Sequence, residues 1–571
     1  MIAPPIPQVT LSEYENQPLH LIHAAVDHWA ASRPGDAAIL NATRGTRLTW
    51  GDLRRGSMAL AAELARMGFR KGDVLAAWLP MLDEHILLEY ACFRLGVIHA
   101  PLDLRLQPAE LLRRLNPIRA KGFAFPGKIA GTDFAAAAEA ARRRCDSMEH
   151  LIQFSPEGEC VPGARSFSHL LANALGAVGA GHARPLRCDV SERDGAQVIF
   201  TTGSTGSPKP ALLSHRGITC QNLCLAKAFD FGPDHRVLCN LPASHVGGQA
   251  ELLMTTLFSG ATAVTLETFD PVKSLDAIER YGVTLIGQIP AMFQMEWRTA
   301  DYARRNFASL QSAVYGGQSA PRPFLELMLR MAPRIATGLG LTETSGFCTY
   351  TALTPEADAV ARGLGWGMPA YRMSIRQPMD AGGSAGAEVP AGGIGHICFE
   401  GPQNFLGYLN DPKATAATIS SDGRLYTGDM GRIDERGLHL AGRAKWVLKP
   451  AGYRVFPGDV EAHIAGLAGQ VANVGVVGHP HRVWSEGIVA FVEKRAGAAI
   501  TEAELRRHAR SLTSYMRPLH YVILEPGAMP LNRTAKVDIA RLQELAKEEV
   551  RKLRERGRWD AGSAFADKRI P

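Results

Sequence analysis

Up to about residue 440, segments with apolar residues at helical spacing, such as ALAAELARMGF (59–69) and EHILLEYACFRLGV (84–97), alternate with short β-rich runs such as DVLAAWL, AQVIFTT and GVTLIGQIP. This alternation predicts helices packed on sheets, with many of the strands parallel. The texture changes between Arg424 and Lys449, where LYTGDMGRIDERGLHLAGRAKWVLKPAG reads as short strands separated by DERG and AGR turns. Beyond it, VANVGVVGHP, GIVAFVEK, TEAELRRHARSL and HYVILEPG outline a smaller αβ unit. The expected fold class is α/β: a large N-terminal multi-sheet α/β domain over 1–441, a smaller C-terminal α+β domain over 442–546, and a charged C-terminal tail over 547–571 that frays.

A chain of 571 residues, 46% apolar and 21% charged, is globular and too long for one ordinary domain. The net charge of +7 is modest, and the basic clusters at Arg142–Arg144 and Arg551–Arg558 lack the interleaved aromatics of a single-strand nucleic-acid platform. Anionic small molecules are therefore expected as partners, and nucleic acid is not. Nine cysteines without paired CxxC spacing fit reduced thiols, and Cys220 and Cys224 near His215 fall short of the three or four ligands a zinc site needs. The N-terminus has neither the basic start nor the apolar core of a secretory signal. The longest charge-free stretch, Ala462 to His481, is interrupted by Gln470, Asn473 and Pro480, so no membrane span is expected and a cytoplasmic location is.

The stretch TTGSTGSPKP, Thr201 to Pro210, joins the strand Ala196–Phe200 to the strand Ala211–Ser214. Gly203 and Gly206 can adopt positive φ and aim successive backbone N–H groups into one concavity, as a phosphate-holding loop does. Thr201, Thr202, Ser204 and Thr205 add hydroxyl donors, and Lys209 between two prolines projects a cation to the same place. It is not a Walker loop, and by itself it reads more readily as a polar hairpin turn.

Further motifs follow in order: LPASHVGG (241–248), YGGQSAP (315–321), GLGLTET (338–344), GYLNDPKAT (407–415), YTGD (426–429), GRAKWVLKPAGYRVFPGDVE (442–461) and PLNRTAKVD (530–538). Together with the loop they resemble the adenylate-forming superfamily of acyl-CoA synthetases, luciferases and peptide-synthetase adenylation domains, over about residues 20 to 545. Three positions depart from the family pattern: Pro210 where a glycine closes the loop, Leu339 where an aromatic is usual, and Ala535 where a glycine precedes the lysine.

The resemblance implies ATP-dependent conversion of a carboxylic acid to acyl-AMP with release of pyrophosphate, followed by acyl transfer to a thiol. It places the β- and γ-phosphates on Thr201, Thr202, Gly203, Ser204, Thr205, Gly206 and Lys209, the α-phosphate on Thr342, and Mg²⁺ on Glu343. Gly316, Gly317 and Gln318, with Gly338, Leu339 and Gly340, would line adenine; Asp429 and Arg443 would hold the ribose. Lys536 would bridge the substrate carboxylate and α-phosphate, and His245 would touch the acyl-adenylate or gate the acceptor tunnel. Lys445 falls at the hinge of a mobile small domain, whose rotation would bring Lys449, Gly452 and Tyr453 to a CoA tunnel.

Amino-acid-activating relatives carry an Asp beside the equivalent of PASHVGG, and residues 241–250 contain none. Val246, Gly247, Gly248, Ala250, Leu253, Gly346 and Phe347 are the acyl-pocket candidates, and they point to a hydrophobic aliphatic, alicyclic or aryl acid. With only 26 residues after Leu545, no carrier domain is expected, and CoA is the expected acceptor. A carrier protein or an amine as acceptor, a noncatalytic acyl or nucleotide binder, and a homodimer stay open.

Overall fold

The computed structural model describes residues 4–129, 132–179, 189–201, 208–318, 320–450, 453, 455–532 and 536–560. The two helical segments read from the sequence form as Trp50–Arg66 and Asp83–Leu95. The first starts earlier than its apolar repeat because Thr49 and Asp52 form a capping box, each side chain accepting from the other's backbone N–H. The second stops at Gly96, whose φ of +75° is a left-handed cap that turns the chain into the strand Ile98–Pro101.

Two large sheets form the body. One is seven-stranded, in the order Ile335–Ala336, Ser312–Tyr315, Leu285–Gln288, Arg236–Cys239, Thr262–Thr265, Ala37–Asn41 and Thr46–Thr49, parallel up to its last hairpin. The other is eight-stranded, and its strand Gly195–Thr201 pairs antiparallel with Lys209–Ser214, which pairs in turn with Gly407–Tyr408. The helix Asp83–Leu95 is buried along nearly its whole length, and one apolar cluster joins Trp50, Tyr90 and Phe93 to Ile199 and Leu213 of one sheet and Val237 of the other. Each such side chain contributes about 1.5–3 kcal/mol by leaving water, so the two sheets cannot shift independently. Cys220 and Cys224 pack in a second apolar cluster with Phe229, Phe347 and Tyr350.

A four-stranded antiparallel sheet, Arg372–Arg376, Gly395–Glu400, Leu425–Asp434 and Gly437–Arg443, closes the large unit. One 3₁₀ turn, Ala444–Trp446, follows before the small unit's helix Pro457–Ala465 and its three-stranded sheet of Val471–His481, Ser485–Lys494 and His520–Leu524. The last helix, Ile539–Glu555, runs on where a fraying tail was expected. Leu542, Ala546, Val550 and Leu553 recur at helical spacing and bury against Val477, Val489 and Phe491, together with Trp559. The Trp559 indole N–H donates to the Pro480 carbonyl at 2.9 Å, and its own carbonyl pairs with His481 Nε2 at 2.8 Å. Residues 547–560 thus belong to the small unit's core; their charges lie on the opposite helix face. Among the described residues, no helix is long and apolar enough to cross a membrane.

Trp559→Ala should destabilise the small unit by about 3–5 kcal/mol, as expected for deleting a buried Trp. Denaturant unfolding followed by hydrogen exchange of residues 471–494 reads this directly; an unchanged midpoint would return residues 547–560 to a solvated tail.

Candidate active site

A cleft of about 1010 Å³ opens between the large unit and Asn532 with residues 536–540 of the small one. The eight-stranded sheet supplies Phe200, Thr201 and Lys209 to one side. Thr201 and Lys209 are register partners at the open end of their hairpin, which sets the lysine beside the mouth of the loop. Thr202, Gly203, Ser204, Thr205 and Gly206 lie outside the described residues. Pro210 sits opposite Phe200 in the ladder, and its carbonyl accepts from Leu409 N–H at 2.8 Å, so this departure is absorbed by strand pairing.

Lys209 Nζ lies 4.9 Å from the centre of the Tyr408 ring, and the Tyr408 hydroxyl donates to Glu343 Oε1 at 2.7 Å. One tyrosine thereby fixes a cation and a carboxylate on the same rim. Burial and the adjacent Glu343 charge push the Tyr408 phenol far above its ordinary range, so it stays a donor. Glu343 is carried by the 3₁₀ turn Thr342–Thr344, which ends at Ser345 with φ of +57°. That strained position is held by Ser345 N–H donating to Thr342 and by its hydroxyl donating to the Gln403 carbonyl at 2.9 Å.

Across the cleft, Gly316 and Gly317 end the strand Ser312–Tyr315, and Gly317 takes φ of +89°. A Cβ on Gly317 would stand 3.8 Å from Lys536 Cε, so the lysine stem passes over this turn. Asn532 and Lys536 close their own loop, Asn532 N–H donating to Lys536 O at 2.7 Å and Lys536 N–H to Asn532 Oδ1 at 3.1 Å. The ammonium is open to the cleft yet walled by protein; that enclosure and then the Arg443 charge pull its pKa down, with Asp429 opposing. Asp429 and Arg443 are register partners in the four-stranded sheet, and Arg443 Nε meets Asp429 Oδ1 at 2.9 Å. Asp429 is buried behind Gly428, which raises its pKa, while Arg443 and Lys536 lower it.

The third wall is the π-helix Gly247–Met254, preceded by His245 and Val246. Its wide turns show in Glu251 N–H donating to Val246 O, five residues back. Gly247 N–H donates to His245 Nδ1 at 3.1 Å, which leaves Nε2 as the protonated nitrogen facing the cleft. The cleft walls and the Lys536 charge push this imidazole down to about 4, Asp103 opposing, so it is neutral at pH 7. Val246, Gly247 and Phe347 line the cleft with Leu241 and Leu252. Gly248, Ala250, Leu253 and Gly346 are buried one layer behind; a Cβ on Gly248 would lie 2.4 Å from Pro242 O.

Several expected residues fall elsewhere. Leu339 packs against an apolar cluster and Leu341 takes the place on the cleft wall, while Gly338 lies against the Thr349 carbonyl and Gln318 stands off the wall. The two leucines stand two residues apart on an extended run and pack on the same apolar cluster, but only Leu341 also reaches the cleft. Gly340 does line the cleft, with Thr342. Lys449 and Tyr453 do not line it, and Tyr453 is exposed and stacked on Tyr515 at 4.4 Å. Gly452 and the Lys445 side chain lie outside the described residues, as does Ala535. Sequence reading missed Tyr408, although it stands in the quoted GYLN motif, and Glu251, the single charge in the run Val246–Leu257.

A two-sheet body with a small unit over a cleft that offers both cations and an apolar wall suits a ligand with anionic and apolar parts. The family model described as AMP-binding enzyme matches residues 26–409, and that described as AMP-binding enzyme C-terminal domain matches 459–536. The chain belongs to the AMP-binding enzyme family. It is 30% identical over 534 residues to the 3-[(3aS,4S,7aS)-7a-methyl-1,5-dioxo-octahydro-1H-inden-4-yl]propanoyl:CoA ligase of Mycobacterium tuberculosis, covering 92% of this chain and 99% of that one. It is 29% identical over 482 residues to a feruloyl-CoA synthase of an Amycolatopsis species, covering 83% and 89%. The fold matches that of ATP-bound MatB from Rhodopseudomonas palustris with a TM-score of 0.79, at 24% identity over 93% of this chain and 100% of that one.

Tyr408→Phe keeps the ring under Lys209 and deletes the hydrogen bond to Glu343. A hydrogen bond to a charged group is worth about 1.5–3 kcal/mol, so kcat/KM for ATP should fall by about 10- to 100-fold with little change in the KM of the acid. An unchanged ATP dependence would remove Tyr408 from the site.

Proposed function

We propose that this chain activates a hydrophobic carboxylic acid with ATP, forming acyl-AMP and pyrophosphate, and then transfers the acyl group to CoA. The observation that carries the reading is the division of one cleft: Lys209, Glu343, Arg443 and Lys536 border one part, and Leu241, Val246, Leu252 and Phe347 the other. A carboxylate must attack the α-phosphorus of a polyanion, so the barrier lies in bringing like charges together. Lys536 neutralises both reacting anions, Thr342 positions the α-phosphate, and Lys209 with Thr201 receives the pyrophosphate end. Arg443 and Asp429 hold the ribose hydroxyls, and the Gly316–Gly317 turn leaves room for a flat base. Glu343 suits Mg²⁺, a hard cation that keeps several waters and takes one or two carboxylates plus phosphate oxygens; among the described residues, Tyr408 is its one side-chain hydrogen-bond partner. When bound, the ion supplies charge neutralisation at the phosphates.

For the second half-reaction, the small unit, its helix Ile539–Glu555 included, turns about Lys445, withdrawing Lys536 and presenting Lys449, Gly452 and Tyr453. The short 3₁₀ turn Ala444–Trp446 that follows the last strand of the large unit supports this hinge, because a few residues at an element's end can absorb the change in backbone angles. A bulky acid of alicyclic or aryl type is supported by the apolar walls and by the acids named for the two CoA-ligating relatives.

A panel of carboxylic acids assayed for pyrophosphate release with and without CoA tests the reading. Acid-dependent release and a CoA thioester are the expected results; release without a thioester would assign the acyl group to a carrier protein or an amine, and no release with any acid would refute adenylation. Lys536→Ala should lower adenylate formation by about 10²–10³-fold while sparing thioester formation from supplied acyl-AMP. Gly452→Leu should do the opposite, and equal loss of both half-reactions in either variant would refute the rotation.

A further inference from the structure

The apolar part of the cleft contains one acid. Glu251 lines it beside Val246, Leu252 and Phe347. Three glycines from three segments make the room for its side chain. A Cβ on Gly247 would lie 3.2 Å from Glu251 Oε2, one on Gly340 3.0 Å from Oε1, and one on Gly346 2.7 Å from Cγ. Among the described residues, no side chain hydrogen-bonds or ion-pairs with this carboxyl; the backbone of Phe347 is its one hydrogen-bond partner. Next to it, Gln221 is fully buried with Nε2 unpartnered, its Oε1 already taken by Asn222 at 3.0 Å. The Cδ of Gln221 and the Cγ of Glu251 approach the same point at Gly346, at 3.1 and 2.7 Å. Glu251 is thus a polar group in the wall, backed by Gln221 behind it, that a plain hydrocarbon group would leave unpaired.

We propose that Glu251 is a specificity-determining residue, donating a hydrogen bond to a carbonyl oxygen carried by the acyl group at a distance from its reacting carboxylate. This rests on the adenylating function proposed above and narrows its substrate class to keto-substituted alicyclic or aryl acids. Burial pushes the Glu251 carboxyl up to about 8, against the Phe347 hydrogen bond, so at pH 7 it is predominantly the neutral acid with an O–H to donate. A neutral donor selects an acceptor oxygen, whereas an ionised carboxylate would repel the partial negative charge of a carbonyl. A site built to hydrogen-bond a substrate group discriminates against the analogue lacking it because its own buried polar group is then left unpaired.

The test compares 3-(4-oxocyclohexyl)propanoate with 3-cyclohexylpropanoate, each with ATP and Mg²⁺, by pyrophosphate release at pH 7. The wild-type enzyme should favour the keto acid in kcat/KM by about tenfold or more. Glu251→Leu should remove or reverse that preference, and Glu251→Gln, which keeps an N–H donor, should retain most of it. Equal kcat/KM for the two acids in the wild type overturns the proposal, as does a keto preference that survives in Glu251→Leu. The wild-type pair and Glu251→Gln decide the question even where Glu251→Leu fails to fold. Pyrophosphate release with neither acid nor any other member of the panel is a different failure, that of adenylation itself, and takes the proposal with it.

Discussion

The pairing of Asp429 with Arg443 is the interaction on which the site's arrangement depends. The two residues are opposite each other in the last ladder of the large unit, one buried and one half-exposed, and Arg443 is the final residue before the chain crosses into the small unit. Buried alone, the Asp429 carboxylate would be costly to ionise; Arg443 and the incoming Lys536 both favour its charge. In return Asp429 offsets the like-charge crowding of Arg443 on Lys536. The small unit therefore docks with a cation over an anion, at the point where a nucleotide's sugar and α-phosphate are proposed to lie.

The opposite rim repeats the logic with different groups. Tyr408 holds Glu343 through its hydroxyl and faces Lys209 with its ring, so a carboxylate is seated at the edge of one aromatic and a cation over its face. Both rims are attached to sheet strands rather than to free loops, since Lys209 and Tyr408 lie in adjacent strands of the eight-stranded sheet and Asp429 and Arg443 in adjacent strands of the four-stranded one. Strand attachment fixes the separation of the two residues in each pair.

Much of this was legible along the chain. The helix and strand periods placed the main elements, and the ordered motifs placed Lys209, Glu343, Asp429, Arg443 and Lys536 around one reaction; the structure sets all five on or directly behind one cleft. The reading failed where burial decides function. Leu339 and Leu341 are chemically alike and pack on the same apolar cluster, and only the surrounding fold decides that Leu341 also reaches the cavity. The segment 547–560 looked like a tail because its charges outnumber its apolar residues, but four apolar side chains at helical spacing and one Trp suffice to seat it on a sheet.

Sequence by itself determined the family, because its motifs demand particular functional groups at short, fixed spacing, and such groups are visible one motif at a time. Tertiary structure alone decided what Glu251 is. In the chain it is one acid among apolar neighbours; in the fold it enters a cavity wall through a gap left by glycines nearly a hundred residues apart in sequence, where loss of water keeps its proton on. Charge state and exposure are properties of what surrounds a group, and those surroundings come from segments that only folding brings together.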